Sequence, residues 1–325
     1  MLFRSGLKPH IWDDSDRIDY VQQGECIEEI LGELLLADDP VVEGLKEQLF
    51  ELDDYWPPDG GEPFYEDDQC YQPISHDGRT LSTKWSEFRI SIKHDQRFFN
   101  DAAVEFLTEI FKGIHQLSDI NLDRAVYMAG PNQPISRIFR VRRADGTDIQ
   151  EKIRKEPWKE LGPPPESNRS AGRMNPSGIA AFYGALELNT CIAEMRPPVG
   201  STLIGAAFDI IRPICVLDLT KFRGPPKTLS PFNPQHMRTM GQWAFMQSFR
   251  HVISLPILPD DEHLEYVPTQ AVAEFLNRHH KVNIKGEETN IDAIVYPSAQ
   301  TPDGTNIVLL AKASEVKNPN QETKI

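Results

Sequence analysis

"AGRMNPSGIAAFYGALELNTCIAEMR", residues 171–196, is the stretch on which the reading of this chain turns. It opens as a Gly/Asn/Pro loop that carries Arg173. Residues 179–185, "IAAFYGA", are a short apolar run with two aromatic residues, which predicts a strand. Residues 188–196, "LNTCIAEMR", predict a helix with Glu194 between Ala193 and Met195. A loop, a strand and a helix thus bring an arginine, Tyr183 and a glutamate close together.

Working outward, the same texture continues downstream. Residues 202–210 and 213–219 read as strands, and 234–252 and 269–280 as helices. Residues 291–299 and 305–313 read as two strands joined by the turn "QTPDG". The polar tail 314–325 reads as frayed. Upstream, "ISRIFRVRR" at 135–143 alternates apolar and basic residues with a period of two, so it predicts a strand with Arg140 and Arg142 on one face and Phe139 and Val141 on the other. Residues 156–178 read as one long loop, a kind that is often functional.

The first third has a different period. Ile27, Ile30 and Leu31 recur at helical spacing. A second helix after Pro40 carries Val42, Leu45 and Leu49. Residues 53–68, "DDYWPPDGGEPFYEDD", are a Pro-, Gly- and acid-rich loop. A third helix over 100–117 is expected to turn Val104, Leu107, Phe111 and Ile114 inward. The turn cluster "GPNQP" at 130–134 marks the change of texture. The expected class is therefore α+β: a helical N-terminal domain over 1–125, and a mixed-sheet catalytic domain over 126–325.

Composition narrows the function classes. The 325 residues hold 34 Lys and Arg against 49 Asp and Glu, a formal charge of -15. This disfavours nucleic acid and anionic membrane surfaces as partners, since both attract basic footprints. Residues 1–14 have no apolar core of the signal-peptide type, and no run of about 18 apolar residues is present to span a membrane. The four cysteines are scattered with no C-x-x-C, so no metal site is expected and reduced thiols in the cytoplasm are the simplest reading.

Each candidate residue has a plain reading beside a chemical one. A helix glutamate such as Glu194 mostly faces water; set among apolar neighbours, it points into a cleft instead. Arg140 is either the polar face of a half-exposed strand or a rigidly held guanidinium for a phosphate or carboxylate. Arg173 by itself is an ordinary loop arginine, Tyr183 a core aromatic, and Ser298, after Tyr296 and Pro297, a turn serine. No G-x-S-x-G, G-x-G-x-x-G or P-loop pattern is present. His279 and His280 end a predicted helix and suit its C-terminus better than a metal.

In order, "FRVR", "AGRMNPSGIAAFYGALELNTCIAEMRP", "LDL", "EYVPTQAVAEFL" and "IDAIVYPSA…DGTNIVLL" resemble the RES-domain family over residues 134–312. The first third more loosely resembles the helical HEPN-like domain. The RES resemblance implies a fold like that of ADP-ribosyltransferases and NAD+ as a substrate, with no separate cofactor. It places the family's arginines on Arg140 and Arg173, its tyrosine on Tyr183, its glutamate on Glu194, its serine on Ser298 and an asparagine on Asn306. Glu194, Arg140, Tyr183 and Ser298 are then the catalytic set. Arg140, Arg173, Tyr183 and Asn306 bind the dinucleotide. The implied activity is NAD+ glycohydrolysis or phosphorolysis by a toxin-like protein, with mono-ADP-ribosyl transfer to a cellular protein as the alternative. An antitoxin or regulatory protein is the implied protein partner, and the pattern admits a homo-oligomer. One departure is Glu187, where an aspartate helix cap is expected. Arg97 is followed by no histidine at helical spacing, so ribonuclease chemistry is not expected.

Overall fold

The apolar spacing of the first third does yield helices, with short strands before and between them. The computed structural model describes all residues except 1, 5–6, 12–17, 23, 36–38, 54–62, 74–78, 228–232, 234, 256, 259 and 320–325. Contacts divide the chain into two units, residues 1–76 and 77–325. In the first, β1 (Leu2–Arg4) pairs with β4 (Tyr71–Pro73), and β2 (Leu7–Ile11) with β3 (Ile18–Gln22). The helices α1 (Ile27–Leu35) and α2 (Asp39–Glu51) follow β3. Ile27, Ile30 and Tyr71 form a small core, with Leu31 and Leu49 packed on it. Most of the acidic loop read at 53–68 lies outside the described residues.

The second unit is built on one seven-stranded mixed sheet. Its strands are β5 (Val126–Ala129), β6 (Arg137–Arg143), β7 (Ala181–Ala185), β8 (Leu203–Asp209), β9 (Ile214–Asp218), β12 (Ala293–Pro297) and β13 (Thr305–Leu310). The order across the sheet is β5-β9-β12-β13-β7-β6-β8, with β9 and β12 the parallel pair. A separate hairpin joins β10 (Lys281–Ile284) to β11 (Glu287–Asn290). The helices are α3 (Arg79–Ile90), α4 (Asp101–Phe111), α5 (Thr147–Lys155), α6 (Pro157–Glu160), α7 (Leu188–Glu194), α8 (His236–Ser254), α9 (Glu262–Glu265) and α10 (Val267–Arg278). Residues 156–178 are thus not all loop, because α6 forms at Pro157 in its first turn, where the missing amide costs nothing.

Period-two alternation places the two cores. Along β13, Val308 and Leu310 join the core beneath the large helices, while Ile307 and Leu309 enter the core on the opposite face. The helical core also holds Trp85 and Phe88 of α3, Phe106, Leu107 and Phe111 of α4, and Trp243, Phe245 and Phe249 of α8. Trp85 meets Phe88 at 5.2 Å and Phe249 at 5.4 Å between centroids. By packing, then, α3 and α4 lie with the sheet that follows them, on the second unit's side of the 76/77 division, whereas the expected helical domain ran over 1–125. Asn100 caps α4 by accepting the Ala103 amide at 3.0 Å. Leu107, Phe111 and Ile114 are buried as expected, whereas Val104 is 48% exposed. The tail was expected to be frayed from residue 314, yet Ser314 is buried and Val316 packs on the second core.

The sheet splits where the site forms. β6 pairs with β8 from Arg137 to Arg143 but shares with β7 one register pair, Phe139 opposite Ala185. The approach there is tight: a Cβ on Gly184 would stand 2.5 Å from Ile138 Cγ2 and 2.6 Å from the Phe139 carbonyl oxygen. Only glycine allows the strands to meet at this point.

Candidate functional site

Helix α7 carries Glu194 to β13. The helix is seated by Cys191, buried against Val141 and Ala185, with its thiol donating to the Phe139 carbonyl at 2.9 Å. The Glu187 carboxylate does not cap the α7 backbone. It accepts instead from Thr190 Oγ1 at 3.0 Å and from the Thr305 amide at 3.0 Å. That ties the start of α7 to the start of β13. At the other end of the helix, Glu194 Oε1 accepts from Ser298 Oγ at 2.5 Å and from Asn306 Nδ2 at 2.8 Å. Among the described residues, Oε2 accepts no hydrogen bond. Glu194 is solvent-accessible, but its carboxylate is held and does not swing freely in water.

Ser298 and Asn306 are themselves fixed. The Ser298 amide donates to the Gly304 carbonyl at 2.8 Å, and Ser298 Oγ accepts the Gln300 and Thr301 amides at 3.0 and 3.2 Å. Asn306 is buried and stands opposite Tyr296 on one side and Ala185 on the other. Tyr183, Tyr296 and Asn306 therefore share the sheet face that carries the helical core.

Tyr183 organises the loop that precedes its strand. Its Oη donates to Asn175 Oδ1 at 2.7 Å and accepts the Met174 amide at 2.9 Å. Burial pushes this phenol up to about 12, against the opposing pull of the Met174 amide, so it stays protonated at neutral pH. The next turn back carries Arg173. Its guanidinium donates to the Leu255 carbonyl at 2.7 Å and lies over the Tyr266 ring at 5.4 Å.

Arg140 sits at the split between β6 and β7. Its guanidinium lies 4.9 Å from the centre of the Phe182 ring, a cation–π contact. Nη1 is buried with no hydrogen-bond partner. Desolvation lowers its pKa, with Cys191 and Tyr183 among the neighbouring groups it senses. Arg142 keeps the plain reading, because it is exposed and donates to Glu160 at 2.9 and 3.1 Å.

Glu194, Ser298 and Asn306 thus meet through direct hydrogen bonds, and neither Arg140 nor Arg173 bonds the glutamate. Tyr296 stands opposite Asn306 and feels the charges of both Glu194 and Arg173. Burial raises its phenol, and its electrostatic neighbours are Tyr183, Glu194, Arg173 and Tyr266. Sequence reasoning assigned nothing to Tyr296 or Tyr266. The signal for Tyr296 was its position two residues before Ser298 in the strand expected over 291–299, hence on the same face. Tyr266 precedes a helix and gave no such signal.

Among the described residues no three His, Cys, Asp or Glu side chains group as metal ligands, and no helix is long and apolar enough to cross a membrane. A family model described as the RES domain matches residues 137–324. No curated protein matches the chain.

Proposed function

Because this chain belongs to the RES-domain family, we propose that it cleaves the bond between nicotinamide and ribose in NAD+, as a glycohydrolase or phosphorylase of the toxin-like kind. The observation that carries this reading is the Glu194 carboxylate held through one oxygen by Ser298 and Asn306. Its second oxygen is left for a ligand.

The chemistry asks for this arrangement. When the C–N bond breaks, its electron pair leaves with neutral nicotinamide and positive charge develops on the ribose, as in glycoside cleavage. A carboxylate fixed beforehand stabilises that charge without reorganising. Glu194 supplies it, and its free oxygen also suits the ribose hydroxyls. Water or phosphate then bonds to the sugar carbon and releases a proton. Arg140 and Arg173 supply cations for the pyrophosphate. The unpartnered Nη1 of Arg140 is a donor that such an anion would satisfy. Tyr183 serves as a wall and a neutral donor, since its raised pKa keeps the proton on.

The test is nicotinamide release from NAD+ by the pure protein, with and without phosphate, with products identified by mass spectrometry. Wild type is expected to release nicotinamide and Glu194→Ala to release none. No release under either condition rejects the reading. Labelled NAD+ in a lysate separates water or phosphate from a protein acceptor, because ADP-ribosyl transfer would label a band. The HEPN-like reading of the N-terminal helices belongs to the same proposal and predicts no ribonuclease activity. RNA cleavage by the full chain would overturn it.

A further inference from the structure

We infer that Tyr266, Thr269 and Gln270, at the start of α10, form a clamp that positions Arg173 and the Asn175–Tyr183 pair for substrate binding. The inference rests on the reading of the Glu194 and Arg173 groups as a dinucleotide site and adds residues to which that reading gives no role. The three lie at i, i+3 and i+4, which places them on one helix face.

Thr269 and Gln270 both reach from that face to the turn at residues 172–175. Thr269 Oγ1 lies 2.5 Å from the Arg173 carbonyl oxygen, closer than its 3.0 Å approach to the Tyr266 carbonyl. Gln270 Nε2 donates to the carbonyls of Gly172 at 2.8 Å and Asn175 at 3.1 Å. The turn closes on itself through the Gly172 amide and the Asn175 carbonyl at 2.9 Å. On its far side it is held by Tyr183, which takes the Met174 amide and gives its own proton to Asn175. There is no slack at Gly172 either: an added Cβ would stand 2.7 Å from Tyr183 Oη and 2.8 Å from Asn175 Oδ1.

The Arg173 side chain is held from the same helix. Tyr266 lies beneath the guanidinium, and its own hydroxyl is anchored to Glu262 Oε1 at 2.9 Å. The base of the clamp is rigid, because Thr269, Val272, Ala273 and Leu276 are buried. A loop arginine ordinarily loses rotamer and backbone freedom when it binds an anion. Here α10 has already removed much of that freedom. A core helix thereby does for a loop residue what a strand does for Arg140.

This predicts a split in kinetic constants. The clamp orders a group that binds substrate and transition state alike, so its loss raises KM and leaves kcat nearly unchanged. Gln270→Met keeps length and helix propensity but removes the donor. Thr269→Val removes the hydroxyl, and Thr269→Ser restores it. Gln270→Met and Thr269→Val are expected to raise KM for NAD+ about five- to tenfold, the factor that corresponds to losing a hydrogen bond, and Thr269→Ser is expected to recover it. Amide exchange over residues 172–175, read by mass spectrometry on the full chain, is expected to quicken in Gln270→Met. A fall in kcat at constant KM, or exchange unchanged from wild type, overturns the clamp. If wild type does not turn over NAD+, the parent reading fails instead, and the exchange measurement alone decides whether α10 holds the turn.

Discussion

Asn306 Nδ2 donates to Glu194 Oε1 at 2.8 Å, joining the end of α7 to a strand 112 residues further along the chain. The same oxygen takes the Ser298 proton. Two neutral donors on one oxygen hold the carboxylate in place, and among the described residues no cation bonds it.

Charge rather than shape is therefore what Glu194 is expected to contribute. Glu194→Gln keeps an oxygen that can accept from both partners and removes the negative charge. Nicotinamide release is expected to fall by about 10²-fold or more, the size seen when an electrostatic stabiliser is removed. Thermal unfolding should stay within about 0.5 kcal/mol of wild type, as for other accessible side chains. A Gln variant of wild-type rate would remove the carboxylate from the chemistry.

Tyr183 makes a different prediction. Burial holds its phenol up to about 12, so it does not ionise at working pH and cannot act as a base there. The pH–rate profile of the wild type is expected to show no limb from this residue below about pH 10, since its folded pKa lies above the ordinary tyrosine value. Tyr183→Phe loses both the Asn175 and Met174 bonds. It is expected to raise KM through disorder of the Arg173 turn and to leave the shape of the profile unchanged. A limb near pH 8 that vanishes in Tyr183→Phe would show the phenol ionising.

Much of this was legible in the residues, for identifiable reasons. β6, β7, β9, β12 and β13 show up in sequence because their apolar alternation or continuous apolar runs record burial on one face or both. Glu194, Ser298 and Asn306 were singled out by motif, and their mutual bonds follow from the adjacency of α7, β12 and β13. What stayed hidden carried no period. β5, "VYMA", is four residues long, and the hairpin β10–β11 is rich in Lys, Asn and Glu. α5, "TDIQEKIRK", has a stripe of two apolar residues among charged ones, Ile153 buried and Ile149 packed on the same core. The helix read over 100–117 packs on the large sheet for a reason its sequence does not carry: an amphipathic pattern tells that a face is buried but not against what.

That last point can be measured on a single helix. Leu107 and Val104 were both read as inward, yet Leu107 is 3% exposed and Val104 is 48% exposed. Leu107→Ala is expected to cost about 2–5 kcal/mol by leaving a cavity between α4 and the helical core. Val104→Ala should change stability by about 0.5 kcal/mol or less. Urea unfolding of the two variants separates them, and equal losses would mean that α4 is rotated from the position described.

Acid stability turns on His115 and His280. His115 Nδ1 and His280 Nε2 are both buried without a hydrogen-bond partner. The His280 ring lies 5.7 Å from that of Phe275 and 6.2 Å from that of Phe111. Desolvation lowers both pKa values from the ordinary 6.5, reinforced by Arg124 at His115 and by His115 at His280. The unfolded chain therefore binds these protons more readily than the folded one. Their contribution to stability is complete well above pH 6.5 and is lost as pH falls through that value towards the folded pKa values. The melting temperature is expected to fall between about pH 7 and pH 5.5, within the range where histidine titrates. Carboxylates lowered by ion pairs, such as Glu265 beside Lys93, act below their ordinary 4.5 and so outside this window. His280→Phe keeps an aromatic ring in the Phe111–Phe275 stack and removes the titrating nitrogens. It is expected to flatten the decline while leaving the melting temperature at pH 8 near that of wild type. If the variant declines as steeply as wild type, some group other than this buried pair governs the acid limb.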